Sequence, residues 1–171
     1  MKPILRLALA AVAMISMVGC AGYQLGPQKP ERLAGVTRIA VPTFDNDTLE
    51  PRLAVLVTNA LIKKIQMDGT YLVVSEAEAD AVLRGRISNI NRRQFRSVRT
   101  NVLRSRELSL DLLSNYQIED RNTGVVLMEG LSRGRTNIVV ADTFQVAERQ
   151  GLAVAAERLA DDMVSRIANG W

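Results

Sequence analysis

Residues 107–119, ELSLDLLSNYQIE, alternate apolar and polar side chains more regularly than any other part of the chain. The apolar set comprises Leu108, Leu110, Leu112, Tyr116 and Ile118. The polar set comprises Ser109, Asp111, Asn115, Gln117 and Glu119. A period of two sustained over this length predicts a strand with one buried face and one solvent-facing face.

The segments on either side of this strand predict its two partners. Residues 79–91 also alternate, with Leu83 and Ile87 on one face and Arg84 and Arg86 on the other. Residues 120–124, DRNTG, carry the turn residues of a hairpin, and residues 125–135 return as another strand. We therefore expect three consecutive antiparallel strands.

Two segments have the apolar spacing of helices. In residues 51–67 the apolar positions are Leu53, Leu56, Val57, Ala60, Leu61 and Ile65, one face of a helix that ends at Asp68 and Gly69. Asp47 or Thr48 is the expected N-cap of this helix. Residues 142–169 form the second predicted helix, with Asp142 as N-cap and Gly170 as stop.

Together these segments predict an α+β fold in the order β-α-β-β-β-β-α. Residues 36–44 supply the first strand, and residues 70–75 supply a short buried one. We expect two helices packed on one face of a four- to five-stranded, mostly antiparallel sheet. The other face carries the polar sets and is partly open to solvent or a partner.

The N-terminus has the three parts of a secretory signal, which are Lys2 and Arg6, an apolar run and small residues. Residues 17–20, MVGC, resemble the bacterial lipobox, in which the cysteine becomes lipid-modified. We predict a signal peptide over residues 1–19, acylation at Cys20, a linker to residue 35 and a single domain over residues 36–171. Ala21 replaces the usual inner-membrane retention aspartate, which predicts the outer membrane. A buried free thiol at Cys20 is the alternative.

The composition argues against most enzymes. The chain has one cysteine and no histidine, so the usual acid–base and Cys–His pairs are missing, and no cofactor is expected. Asp45, Asp47 and Glu50 do not match a calcium loop, and we interpret them as a solvated turn with helix-capping acids rather than a metal site. Without Lys2 and Arg6 the net charge falls from +4 to +2, which disfavours nucleic-acid binding.

An arginine-rich stretch is the most informative feature for function. Residues 83–106 hold eight arginines and no acid, interleaved with Phe95, Val98, Val102 and Leu103. Such a patch fits an anionic amphiphile, for example a lipid with a phosphorylated headgroup. It also fits a solvated basic hairpin that pairs with acids elsewhere, and both interpretations stay open. The candidate binding residues are Arg92, Arg93, Arg96, Arg99, Arg104 and Arg106, with Arg133 and Arg135 from the next strand.

Four segments in this order resemble the LPS-assembly lipoprotein family, LptE. They are CAGYQL at residues 20–25, RIAVPTFDN at 38–46, EPRL at 50–53 and ADAVLRG at 79–85. The extra Ala21 between the cysteine and the glycine is a departure from the family pattern. The resemblance extends over essentially the whole mature chain.

This resemblance implies a periplasm-facing lipoprotein of the outer membrane that is not an enzyme. Its partners would be an LptD-like β-barrel, in which it acts as plug and assembly factor, lipopolysaccharide, and the membrane itself through the acyl chains. The arginines above would then bind lipopolysaccharide. Two alternatives remain: a secretion or scaffold lipoprotein with a similar module, as in curli secretion or the Tol system, and a carboxylate-only enzyme using Asp45 or Asp80.

Replacing Cys20 by alanine tests the lipobox interpretation. An acyl chain contributes about 0.8 kcal/mol of membrane affinity per buried methylene, so its loss leaves a soluble or inner-membrane precursor. Fractionation of cells labelled with a radioactive fatty acid measures both location and acylation. Outer-membrane fractionation that is unchanged and carries no acyl label would contradict the interpretation.

Overall fold

The computed structural model describes residues 29–96, 106–140 and 144–170. It contains six strands and two long helices, preceded by a short 3-10 turn at Glu31–Leu33. In chain order the elements are β1 (Arg38–Ala40), β2 (Asp45–Asn46), α1 (Leu53–Asp68), β3 (Leu72–Val73), β4 (Ala81–Arg96), β5 (Arg106–Asp120), β6 (Val126–Val140) and α2 (Phe144–Asn169).

The strands form one sheet in the order β3-β1-β4-β5-β6, with β2 paired to β4 beyond β1. The three long strands β4, β5 and β6 are antiparallel, whereas β1, β2 and β3 pair in parallel. The predicted α+β fold with two helices is confirmed, but the sheet is mixed. The parallel part arises because α1 connects the short strands as a crossover, which a hairpin turn cannot do.

Both helices contribute to one apolar core on a single face of the sheet. The core side chains include Leu53, Val57 and Leu61 of α1 and Leu159 and Met163 of α2. From the strands it takes Ile39, Leu83, Ile87, Leu110, Leu112 and Ile118. We call the opposite side of β4, β5 and β6, turned away from the helices, the open face.

A β-bulge at Ser88 exchanges the two faces of β4. Ile87 pairs with Ser114, but the next pair is Asn89 with Leu113, so one residue of β4 is unmatched. Before the bulge the odd-numbered residues of β4 face the helices, and after it the even-numbered ones do. Arg92 and Arg93 therefore lie on opposite faces of the sheet.

The turn between β5 and β6 is the predicted hairpin. The Asp120 carboxylate accepts hydrogen bonds from the backbone N–H groups of Asn122 and Thr123, at 3.0 and 2.8 Å. Gly124 adopts a positive φ of 69°, which a glycine tolerates. These bonds hold the pKa of the Asp120 carboxyl below its usual range, the contact with Thr123 first.

The helix ends agree only in part with the sequence. Gly69 and Gly170 end α1 and α2 as predicted, each donating its N–H to the carbonyl four residues before it. The predicted N-cap of α1 is wrong, because Arg52 occupies that position without a side-chain cap. The Thr48 hydroxyl instead donates to Asn46 within the preceding turn, at 2.7 Å. Asp142 lies outside the described residues.

Two other segments differ from expectation. The predicted buried strand at residues 70–75 is reduced to β3 at the sheet edge, where Leu72 is exposed and only the neighbouring Tyr71 is buried. At the other boundary, Leu33 is fully buried in the core. The packed domain therefore begins before residue 36, and part of the predicted linker lies on it.

Side chains of α2 cover the middle of β6, the long strand at the other sheet edge. The Arg133 N–H donates to Asp162 Oδ2 at 3.2 Å, and Arg158 donates to the Arg135 carbonyl at 2.6 Å. An uncovered long edge strand invites pairing with another chain. These two contacts occupy the backbone groups that such a pairing needs.

Gly134 tests the contact between β6 and α2. A Cβ at this position would overlap the backbone carbonyl of Ala155 and the start of Leu159, and neither can rotate away. We expect Gly134→Ala to lower the free energy of unfolding by about 1–3 kcal/mol, as overpacked cores do. Urea denaturation measures this. Gly35→Ala is the control, because a Cβ there meets nothing within 4 Å; equal stability of the two variants would contradict the account.

Candidate functional site

The open face carries the polar residues that the sequence assigned to it, and several of them form ion pairs. Arg86 contacts Asp45 at 3.1 Å and Asp47 at 3.2 Å. Arg84 contacts Glu76 at 2.5 Å and Glu119 at 3.3 Å. These four pairs are solvent-exposed, so each contributes little to stability, but together they fix the orientation of both guanidinium groups.

The acidic residues considered for a cation or for catalysis are engaged with arginines. Asp45 and Asp47 hold Arg86, as just described. Asp80 binds Arg38 through two side-chain hydrogen bonds, at 3.1 and 2.6 Å, and accepts from its backbone N–H at 2.8 Å. Hydrogen bonds from Arg38, followed by those from Thr37, hold the pKa of the Asp80 carboxyl well below its usual range. Asp80 thus joins β1 to the start of β4.

Metal binding was tested on the same acidic residues. Within the described residues, no three acidic, histidine or cysteine side chains converge as a metal ion would require. Neither helix of the described chain has the length and hydropathy needed to cross a bilayer.

Asp111 is the one acidic side chain on the open face that is almost fully buried, with 3% of its surface exposed. It lies opposite Arg135 in the β5–β6 register and binds it in a bidentate pair, with Nε–Oδ1 at 2.6 Å and Nη2–Oδ2 at 3.1 Å. The Arg135 side chain is 55% exposed, so the guanidinium reaches solvent while the carboxylate does not.

Arg93 and Arg133 complete a cluster around this carboxylate. Both lie diagonally across from Asp111 on the neighbouring strands, since Arg93 pairs with Ser109 and Arg133 with Leu113. The pKa of the Asp111 carboxyl is lowered, first by the hydrogen bond from Arg135 and then by the charges of Arg135, Arg133 and Arg93, against the opposing effect of burial. We call these four residues the Asp111 cluster.

The Asp111 cluster has an excess of positive charge. Three guanidinium groups surround one carboxylate, and no described acidic side chain forms an ion pair with Arg93 or Arg133. Arginine presents a planar fork of donors that fits phosphate and carboxylate oxygens in pairs. An exposed cluster of this kind, ordered by one buried carboxylate, is suited to binding a multivalent anion.

The predicted binding arginines are divided among three places. Arg93, Arg133 and Arg135 meet in the Asp111 cluster. Arg92 is on the helix side of the bulge, where it contacts Glu148 at 2.6 Å and Glu50 at 3.1 Å. For Arg92, the hypothesis that the arginines pair with acids elsewhere is therefore correct.

The remaining four candidates lie at or beyond the tip of the β4–β5 hairpin. Arg96 is the last residue of β4 and Arg106 the first of β5. Arg99 and Arg104 fall outside the described residues. The site assignment of all four stays a prediction.

The sequence analysis placed Asp111 on the polar face but missed its role. The information was present, because the DRNTG turn sets the β5–β6 register and brings residue 111 close to residues 133 and 135. A carboxylate in the middle of a long strand opposite an arginine is a cross-strand pair. What the sequence did not show is that neighbouring side chains bury this carboxylate.

The family model for lipopolysaccharide assembly proteins, LptE, matches residues 36–167. The chain belongs to the LptE family. This family is one of non-catalytic assembly lipoproteins, which agrees with the expectation that the chain is not an enzyme. The resemblance found in the sequence is thereby confirmed.

Solved structures show that the fold occurs in several bacterial lipoproteins. A minor lipoprotein of Acinetobacter baumannii has a TM-score of 0.53 at 13% identity, over 78% of this chain and 94% of that one. A hypothetical protein of Chlamydia trachomatis has a TM-score of 0.54 at 7% identity, over 77% and 95%. The PelC dodecamer of Paraburkholderia phytofirmans has a TM-score of 0.50 at 17% identity, over 85% and 96%. At these identities the likeness concerns the fold alone. A search of curated protein sequences found no match.

Replacing Asp111 by asparagine tests its structural role. Because its pKa is lowered in the fold, the ionised form stabilises the protein above the unfolded pKa of about 3.9, and this contribution is lost as the pH falls through the folded pKa. We expect Asp111→Asn to lower the free energy of unfolding at pH 7 by about 1–2 kcal/mol, and the difference from wild type to shrink in acid.

Denaturant titrations at neutral and acid pH measure both effects. Asp161→Asn is the control, because Asp161 forms an exposed pair with Lys64 and is worth less than about 1 kcal/mol. A difference that grows in acid would contradict the assigned direction of the pKa shift.

Proposed function

We propose that this LptE-family chain is an acylated outer-membrane lipoprotein that binds lipopolysaccharide on its open face and acts with an LptD-type β-barrel. The observation that carries the proposal is the Asp111 cluster, with its three arginines around one buried carboxylate. Lipopolysaccharide is a phosphorylated amphiphile, so its headgroup supplies the anions that such a cluster fits. Family membership supplies the barrel partner.

The position of the cluster supports this role. The described chain starts at the β1–β3 side of the sheet, where Lys29 Nζ lies over the Tyr71 ring at 4.7 Å and donates to the Val36 carbonyl at 2.8 Å. Asp111 lies nine residues along β5 from Asp120, which pairs with the first residue of β4. At about 3.3 Å per residue this separates the Asp111 cluster from that end by roughly 30 Å.

This separation keeps the cationic surface away from the membrane anchor. A site held close to the anchor would lie against the leaflet that carries the acyl chains. A site roughly 30 Å away can project instead into a partner such as a barrel lumen, because the hydrocarbon core of a bilayer is itself about 30 Å thick. The long antiparallel strands serve as the spacer.

Charge reversal in the Asp111 cluster tests lipopolysaccharide binding. We expect the double variant Arg93→Glu, Arg133→Glu to bind at least about tenfold more weakly, because charge-assisted hydrogen bonds are each worth about 1.5–3 kcal/mol. Surface plasmon resonance on the purified lipoprotein measures the affinity, and thermal melting checks the fold. Arg149→Glu, on exposed α2 surface, makes the same kind of change away from the cluster. Equal affinity in the double variant and the control would contradict the proposal.

Affinity purification from solubilised outer membrane tests the barrel partner. We expect a large β-barrel to be recovered with the tagged lipoprotein, whereas Cys20→Ala should recover less of it. A homo-oligomeric ring without a barrel would favour the secretion or scaffold alternative instead.

A further inference from the structure

A second polar feature lies on the open face beside the Asp111 cluster. It is a concavity of about 740 Å³ that crosses four strands, and we call it the transverse trough. Its polar side chains come from β2, β4, β5 and β6 and are Asp45, Arg84, Arg86, Asn115, Gln117 and Glu129. Ligand sites in proteins have volumes of about 300–1,000 Å³, so the trough has the size of a binding site.

The floor of the trough is backbone, because two glycines and Tyr116 form one row across the sheet. Gly85 pairs with Tyr116, and Tyr116 pairs with Gly130. On the helix side, the Phe44 ring packs where a Gly85 side chain would be, and a Cβ at Gly130 would lie 2.6 Å from the Tyr116 hydroxyl. Interior glycines let a sheet bend and let other groups approach its backbone closely. This row is where the open face is concave.

The trough differs from the Asp111 cluster in charge. Two arginines are balanced by Asp45 and Glu129, and the other two polar side chains are neutral amides. Its groups are also fixed, since Asp45 and Asp47 hold Arg86, and Gln117 donates to Glu119 at 2.6 Å. Balanced, fixed planar groups with spare donors and acceptors suit a ligand rich in hydroxyls better than a phosphate.

We propose that the transverse trough binds the saccharide part of a phosphorylated glycolipid whose phosphates contact the Asp111 cluster. This inference rests on the proposed function and divides the open face into two subsites. Asn115 of the trough lies four residues from Asp111 along β5, about 13 Å at the rise of a strand. One glycolipid headgroup of several sugars and phosphates can span that distance.

Two ligands, each representing one half of the glycolipid, separate the subsites. The first is the core oligosaccharide of lipopolysaccharide freed of acyl chains and phosphate, and the second is diphosphorylated lipid A without core sugars. The mature acylated lipoprotein is labelled with nitrogen-15 in detergent and titrated with each by NMR, with circular dichroism as the fold check. We expect the oligosaccharide to shift the amide signals around Asn115 and Gln117, and lipid A to shift those around Asp111.

Variants in each subsite give the decisive comparison. Asn115→Ala with Gln117→Ala should weaken oligosaccharide binding about tenfold, since two hydrogen-bonding side chains are lost, and leave lipid A binding unchanged. Arg133→Gln should do the reverse. If the oligosaccharide does not bind, or binds the double alanine variant equally well, the trough assignment is wrong even if lipid A still binds and the proposed function stands.

Two unrelated glycans determine the source of the saccharide. Maltoheptaose and a soluble peptidoglycan fragment present hydroxyls of the same chemistry, but neither belongs to the proposed glycolipid. We expect both to bind more weakly than the core oligosaccharide. Equal or tighter binding of either one would overturn the assignment of the trough to the glycolipid.

Discussion

The contact between α2 and β6 at Gly134 is the constraint on which the rest of the structure depends. It brings the α2 backbone so close to β6 that no side chain fits between them. The helices then seal one face of the long strands, and every polar side chain of those strands has to lie on the other face. The same contact brings Asp162 and Arg158 to the edge of β6, where they occupy its backbone groups.

On the face that this leaves open, burial and charge act together. Asp111 is buried by its neighbours and so requires a cation, which Arg135 supplies in a bidentate pair. The pair fixes one guanidinium, and Arg93 and Arg133 add two more charges beside it. Next to this cationic cluster lies the charge-balanced trough. One sheet face therefore offers two adjacent surfaces of different chemistry, as the headgroup of a phosphorylated glycolipid requires.

Sequence periodicity was enough for the long elements, because β5 alternates strictly and the apolar stripes of both helices follow helical spacing. The parallel short strands were beyond it, since β2 and β3 have only two residues each and are held by pairing rather than by pattern. The bulge at Ser88 was the decisive omission. One unmatched residue leaves no trace in composition, yet it sends Arg92 to Glu148 on the helix side and Arg93 to the open face.

The central claim is that the glycolipid contacts the open face and not the helix side. Site-specific photocrosslinking in living cells measures this directly, with the probe at Leu131 on the open face or at Val55 on α1; both side chains are more than half exposed. The account predicts a lipopolysaccharide adduct from position 131 and none from position 55. An adduct from position 55 with none from position 131 would contradict it.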